Sequence, residues 1–448
     1  MTVNQSNAQS AVIAYLNVSK VQLPKLTKLF TAAGFKFRPA AEVRYADIGI
    51  VDLRNHPITE KKARLASRTL RKKSPDISTM FLIDPQMHDV DRATLRKYGE
   101  VIVAKRHYDH VIVRMRQLLR LRNFAEETGE RIKSLASLGR LSEFPVVATP
   151  DTSTRILIIG GPGPIAITVM NAARQCADHC VCVLSSAQAM RALESNDFDC
   201  AVLLPMAANN PMQSLARSIY RQPRHAMMAT LQIADHVDDL SRYAKKGAKD
   251  FMLSANIGAD LAPRLKLIMR RARLTRAMRE FLVACEGSGV RDVASGAFTS
   301  LFMSEHGARL CDRADQTGRS MSLALVELSE LSNTNVNKSK AALRKAARLV
   351  NRVTRADDFL TRVSANKFVV ICPATKAENA RNVAARIEGV LANTAFMVRK
   401  DGPPRSFGVR SAILERERGA TIEETVAALF RNAETAEIVR APRLQFPQ

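Results

Sequence analysis

No stretch of this sequence approaches the roughly 18 uninterrupted apolar residues that a membrane helix needs. The first residues, Met-Thr-Val-Asn-Gln-Ser-Asn-Ala-Gln, carry neither a basic region nor a long apolar run. No signal peptide and no membrane span are therefore expected, and a cytoplasmic location is. Cysteine is sparse, and its count of seven is odd, which argues against a disulfide framework. Cys176, Cys180 and Cys182 form the tightest group, but only His179 lies near enough to join them as a metal ligand. They read as small residues in a reducing compartment, and no metal or cofactor is expected. Aromatics make up 5% of the chain. With no helix-turn-helix, zinc-finger or RNA-binding motif present, that makes nucleic acid an unlikely partner.

Acidic residues are also few. Asp and Glu number 43 against 68 Lys and Arg, for a formal net charge of +25. Such an excess suits an anionic partner or ligand. The basic residues form no single block. The densest run, Arg264 to Arg279, places Arg270, Arg271, Arg273, Arg276 and Arg279 around a predicted helix, which reads as a solvated or partner-facing surface.

At 448 residues the chain is long enough for about three domains, each with its own core. Residues 1–125 alternate strand-like runs (12–18, 48–53, 80–83, 101–104) with helical ones (23–33, 108–121), the pattern of a doubly wound parallel sheet. Residues 126–153 begin polar and helical and loosen toward Pro145 and Pro150, as a linker does. Residues 154–280 repeat the plan, with strands at 155–159, 180–184 and 200–204 and a helix at 260–279. In the remainder, 285–448, helices at 298–315, 339–353, 377–391 and 422–436 surround strands at 322–328, 359–363, 368–371 and 406–414.

The first two units resemble response-regulator receiver domains of flavodoxin-like fold. In the first, Asp52 ends the third strand run, where receivers hold their phosphoacceptor, and Lys105 follows the last strand, where they hold a phosphate-binding lysine. The acidic pair that would bind Mg2+ is absent, since Tyr15-Leu16-Asn17-Val18 stands in its place. Asp52 is thus a phosphoacceptor candidate with incomplete chemistry. The second unit keeps the run Gly247-Ala248-Lys249-Asp250-Phe251 but has Leu204-Pro205 for the acceptor and Ser254 for the lysine. Its Gly160, Gly161 and Gly163 lack dinucleotide-loop spacing, and Pro162 and Pro164 remove amides.

The third unit resembles a GGDEF (diguanylate cyclase) domain, an α+β fold with a mostly antiparallel central sheet. Asp292 to Gly296 echoes the family's entrance motif, and R-A-D-D-F-L-T-R-V-S-A-N-K-F from Arg355 to Phe368 outlines its signature hairpin. The resemblance implies a metal-binding carboxylate at Glu327, a guanine contact at Asn335, and a Gly-Gly-acid-acid tip. Here the tip is Ser364-Ala365-Asn366-Lys367, and the G-H-x-x-G-D segment after Asn335 is missing. Cyclase chemistry needs Mg2+ on carboxylates, so the domain is expected not to be an enzyme. The family's inhibitory site binds cyclic di-GMP through R-x-x-D and an arginine on the next helix. R-x-x-D occurs four times, starting at Arg44, Arg106, Arg309 and Arg355, and only the last lies nine residues before the tip. That marks Arg355 and Asp358, and Arg386, 22 residues past the tip, falls at the accessory position. Arginine forks match guanine O6 and N7 or phosphate.

Two receiver-like units, a degenerate GGDEF domain and a retained inhibitory site are together similar to PopA-type cyclic di-GMP effectors, built on the plan of PleD-type regulators. The resemblance implies cyclic di-GMP as ligand, homodimerisation through the receiver domains and recruitment of adaptor proteins. It further implies a cell-pole location and a part in ClpXP-dependent proteolysis during the cell cycle. Two rival readings stand beside it. One is a basic scaffold that binds nucleic acid, lipid or protein without cyclic di-GMP. The other is a residual diguanylate cyclase.

Overall fold

The protein is described here from a computed structural model. The description covers residues 11–434, except 55–58, 106, 145–152, 206–214, 216–217, 220–224, 226–227, 246–247, 285–288, 331–335, 356 and 397–405. The chain divides into two compact units: residues 12–122 with 147–278, and residues 123–146 with 279 onward.

The first unit holds two five-stranded parallel sheets. One is built from β1 (Val12–Leu16), β2 (Lys36–Pro39), β3 (Ile48–Asp52), β4 (Ser78–Ile83) and β5 (Glu100–Val103), in the order β2-β1-β3-β4-β5. Between them run α1 (Leu23–Ala32), α2 (Glu60–Arg71) and α3 (Asp89–Arg96). The second sheet takes β6 (Arg155–Ile159), β7 (His179–Val183), β8 (Cys200–Leu203), β9 (Ala229–Ala234) and β10 (Asp250–Leu253), in the order β10-β9-β8-β6-β7, with α5 (Pro164–Arg174), α6 (Ser186–Ser195) and α7 (Val237–Lys245) in its connections. Both orders are the flavodoxin-like 2-1-3-4-5, in which the carboxyl ends of the strands form the functional edge. The central strands are mostly apolar because helices cover both faces; every residue of β3 and β8 is buried. On the edge strand β7, Cys180 and Cys182 are free thiols, as is nearby Cys176.

A charged network joins the two sheets of this unit. It involves α4 (Asp109–Ser137), which follows β5, and α8 (Ile257–Ala284), which follows β10. Arg114 of α4 donates Nε and Nη2 to Glu100 at 3.0 and 2.7 Å and lies 3.2 Å from Asp250. Arg264 and Arg271 of α8 close onto Asp250 and Glu100. Burial alone would raise the Glu100 pKa, but the guanidiniums of Arg114, Arg264 and Arg271 outweigh it and hold the carboxyl well below its usual range. Arg273 meets Asp199 at 3.1 Å. The basic run 264–279, expected to face solvent or a partner, therefore spends Arg264, Arg271 and Arg273 on internal ion pairs.

In the second unit, β11 (Ser322–Glu330), β12 (Phe359–Arg362), β13 (Lys367–Cys372) and β14 (Phe407–Glu415) pair antiparallel in the order β12-β13-β11-β14. Helices α9 (Ser300–Thr317), α10 (Val336–Val353), α11 (Ala377–Ala392) and α12 (Ile422–Glu434) accompany the sheet. One core cluster gathers Ala324, Val326, Phe368, Val370, Val350 and Ile387. Before α9, Gly296 at φ +72° donates its N–H to the Asp292 carbonyl, closing the Asp292–Gly296 turn with a backbone conformation that suits glycine.

Helix α4 corrects an expectation. A helix was expected to end at Leu121 and pass into a linker, but it continues to Ser137, and residues 123–137 pack in the second unit. No proline interrupts residues 109–137, and Gly129 is tolerated at the cost of some helix propensity.

Replacing Glu100 with Ala would leave buried guanidiniums without their carboxylate. Loss of one partner from such a network costs about 3–5 kcal/mol. The Glu100→Ala variant should therefore unfold at clearly lower urea than wild type, and an unchanged midpoint would show that the network does not hold the sheets.

Candidate functional site

The hairpin that joins β12 to β13 is tied down at its tip. Val363 and Ser364 donate their N–H groups to the Lys367 carbonyl at 3.0 and 3.2 Å. Arg362 folds over the turn, giving Nε to the Ser364 carbonyl (3.0 Å), Nη2 to that of Ala365 (3.1 Å) and Nη1 to Asp292 (2.8 Å). Asn366 donates Nδ2 to the Leu328 carbonyl and accepts the Leu328 N–H, both at 2.9 Å. The tip thus uses its own polar groups on the neighbouring chain.

Register places Glu327 of β11 opposite both Lys367 of β13 and Arg410 of β14. Its carboxylate lies 3.8 Å from Lys367 Nζ and 3.6 Å from Arg410 Nη1. Lys367 also stands over the Phe430 ring, 5.5 Å from its centroid. Arg410 and Arg362 are site residues that the sequence did not mark. Asn335, the expected guanine contact, lies outside the described residues.

Behind the hairpin, the structure brings together Arg355, Asp358 and Arg386. Arg355 and Asp358 occupy the loop between α10 and β12, and Arg386 comes from α11. Asp358 is 7% exposed. Burial, with Asp357 adding to it, pushes the Asp358 carboxyl up to about 7, against the pull of Arg355 and Arg386. Burial and the like charge of Arg355 lower the pKa of Arg386. Asp358 Oδ2 and Arg386 Nε and Nη2 are buried, with no hydrogen-bond partner among the described residues. A buried acceptor and a buried donor fork left open side by side are costly unless something else completes them. Cys372 of β13 closes the floor of the cluster; burial and then Asp358 raise its thiol pKa well above the ordinary value.

One further residue touches this loop. Arg131 of α4, 1% exposed, donates Nη2 to the Asp358 carbonyl at 3.2 Å and Nε to Glu127 at 2.6 Å. Its guanidinium lies over Phe298 and Phe359, 5.1 and 5.8 Å from their centroids. Glu127 also meets His306 Nε2 at 3.1 Å, and Ser134 meets His306 Nδ1 at 3.1 Å. The i, i+4 spacing of Glu127 and Arg131 was visible in the sequence, but nothing there placed the pair in an interior.

In the first parallel domain, Asp52 closes β3 at the carboxyl edge, buried and engaged. Arg54 donates Nε (2.9 Å) and its backbone N–H (3.1 Å) to Oδ1, and Nη2 to Oδ2 (2.6 Å). Arg54 also reaches the Tyr108 hydroxyl. Lys105 is exposed in the bend after β5. The cation on Asp52 is thus Arg54, which sequence reasoning passed over although it stands two positions away.

Comparison with known proteins places the third sheet in a family. Residues 291–437 match the family described as diguanylate cyclase, GGDEF domain. This part of the chain is a GGDEF domain, set behind two flavodoxin-like sheets. No curated protein matches the chain. Among solved structures it is similar to the GGDEF domain of DgcB from Caulobacter crescentus in complex with c-di-GMP, at 18% identity and TM-score 0.27, over 32% of this chain and 86% of that one. It is also similar to the FimX GGDEF domain from Pseudomonas aeruginosa, at 14% identity and TM-score 0.30, over 34% and 97% of the two chains. A third is the diguanylate cyclase SiaD in complex with its activator SiaC from the same organism, at 20% identity and TM-score 0.30, over 39% and 68%.

Among the described residues, no helix is long and apolar enough to cross a membrane. The raised Asp358 pKa has a consequence for stability. A carboxyl that binds its proton more tightly when folded loses stability as the pH rises from its unfolded value, near 4, through about 7. Asp358→Asn should therefore stabilise the ligand-free protein at pH 8, by on the order of 2–4 kcal/mol, and change little at pH 4. Urea unfolding at the two pH values checks this, and equal effects at both would count against it.

Proposed function

We propose that this protein is a non-catalytic cyclic di-GMP effector that binds the dinucleotide at Arg355, Asp358 and Arg386. The observation that carries this reading is the open polar cluster: Asp358 Oδ2 and Arg386 Nε and Nη2 are buried, with no hydrogen-bond partner among the described residues, and Arg355 acts on both groups. Guanine offers what they lack, an N–H edge for the carboxylate and O6 with N7 for an arginine fork, while the phosphates can take the second guanidinium. Binding would also favour the ionised form of Asp358, which burial opposes.

The hairpin supports the absence of cyclase chemistry. Mg2+ needs hard oxygen ligands, and Glu327 faces Lys367 and Arg410 instead of a second acid. The residues present do not fit that metal. The Ser364 and Ala365 carbonyls are taken by Arg362, where the family brings bare glycine backbone to the nucleotide. In the first domain, read as a receiver, Arg54 grips both oxygens of Asp52, which supports an interaction module over a phosphoacceptor. In this reading, two receiver-like domains and an inhibitory-type site serve a PopA-type adaptor that recruits protein partners at a cell pole for ClpXP-dependent proteolysis.

Titration calorimetry with cyclic di-GMP tests the central claim. Wild type should bind, and Arg355→Ala should lose at least tenfold in affinity, the effect of removing one charge-assisted contact of about 1.5–3 kcal/mol. No binding by wild type, or equal binding by both, would overturn the proposal. Incubation with GTP and Mg2+ should yield no cyclic di-GMP, and measurable turnover would restore the residual-cyclase reading.

A further inference from the structure

A second open site lies in the first unit. A cavity of about 330 Å³ opens between α4 on one side and β9, β10 and α8 on the other. Its lining falls into two chemistries. Leu118, Leu121, Met228 and Ile268 give an aliphatic wall, and no aromatic ring joins them. Such a wall suits an alkyl body better than a base, which would seek a ring to stack on.

The polar part of the lining holds three open donors, besides Asp250 Oδ2, a buried acceptor with no hydrogen bond among the described residues. Arg116 Nε, Gln117 Nε2 and Thr230 Oγ1 are each buried, with no hydrogen-bond partner among the described residues. Thr230 is 3% exposed, so bulk water does not serve it. The Gln117 carbonyl oxygen already accepts from Arg114 at 3.1 Å, which leaves its amide N–H groups as the open end. Arg116 uses Nη2 on the Ala33 carbonyl at 3.4 Å, away from Nε. Buried polar atoms in folded proteins nearly always have partners, and three donors open on one cavity need an acceptor.

The charge agrees. Arg116, Arg120 and Lys249 line the cavity together with Arg114 and Arg271, which pair with Glu100, and with Asp250, which pairs with Arg114 and Arg264. Burial, with Arg120 adjacent, pushes the Lys249 amine down to about 7. A wall this rich in cation is relieved by an anion.

We infer that this cavity binds an amphiphile with a compact anionic head and an aliphatic body. Arg116, Gln117 and Thr230 take the head, and Leu118, Leu121, Met228 and Ile268 take the body. A carboxylate and a phosphate monoester share that chemistry. Lys249, held at about 7 by burial, faces the head, so a carboxylate head should bind more tightly at pH 6 than at pH 8.5.

Calorimetry on the full chain tests this, with sodium decanoate, decyl phosphate, decanol and inorganic phosphate as probes, each below its micelle or solubility limit. At least one of the two charged amphiphiles should bind at one site per chain, at least tenfold more tightly than decanol or inorganic phosphate. The preferred one identifies the head. Arg116→Met and Thr230→Val, checked for an unchanged thermal midpoint, should each weaken that binding tenfold or more. If a variant melts early, Gln117→Glu, which puts a like charge against the head, takes its place and should abolish binding. Absence of saturable binding overturns the proposal. Decanol binding equally well would mean a mere apolar crevice, phosphate alone binding equally well would mean a mere cationic patch, and affinity untouched by the variants would put the ligand elsewhere; each of these also overturns it.

Discussion

The GGDEF domain and the helix that packs on it share one buried cation. Arg131 has almost no contact with water, so every direction of its guanidinium must be answered by protein. Glu127 supplies the countercharge, Phe298 and Phe359 supply ring faces, and the Asp358 carbonyl supplies an acceptor. His306, stacked on Phe302 and held by Glu127 and Ser134, extends the same network into α9. The loop carrying Asp358 is thereby fixed from behind by a residue 227 positions away in sequence. A polar cluster can stay open only if its backbone cannot collapse, and Arg131 gives the Asp358 backbone that support.

The net charge takes on a different meaning once the pairs are located. A minority of the arginines are interior and paired with acids. Arg54, Arg114, Arg131 and Arg264 are all buried against acids, and Arg416 holds Asp315 with two nitrogens at 2.9 and 2.6 Å. Arginine suits this use because its fork meets a carboxylate bidentately and its charge persists when buried. A basic composition can therefore reflect how a protein builds its interfaces between elements as well as what it attracts from solution.

Much of the architecture was legible because it rests on local pattern. The apolar runs at 48–53, 200–204 and 322–328 are strands, and the hairpin from Phe359 to Ile371 is paired as its turn residues suggested. What escaped was set by weaker or non-local signals. Strand β2, Lys36–Pro39, is a four-residue edge strand whose alternation, one buried Phe37 between exposed Lys36 and Arg38, is too short to stand out. The α4 continuation looked like a linker because Glu127, Thr128, Arg131 and Ser134, which count as polar in any pattern, make up most of its buried face between Phe124 and Leu135. Within the candidate site, register put Glu327, Lys367 and Arg410 side by side, and that needs three strands to be known at once. The Arg355, Asp358 and Arg386 group was found by spacing against a family, whereas Arg54 and Arg131 owe their roles to tertiary neighbours that no spacing reveals.

The hairpin tip carries an evolutionary consequence. Its four residues are tied to their surroundings on β11 and β12. Arg362 occupies the Ser364 and Ala365 carbonyls, Asn366 is stitched to Leu328, and Arg410 sits beside Glu327. Writing glycines and acids back into positions 364–367 would leave Arg362 and Arg410 in place, each attached to groups that the restored motif would need. Reversal would thus require several coordinated changes, with no benefit from any taken singly. A turn held in this way can change only together with its partners on β11, β12 and β14.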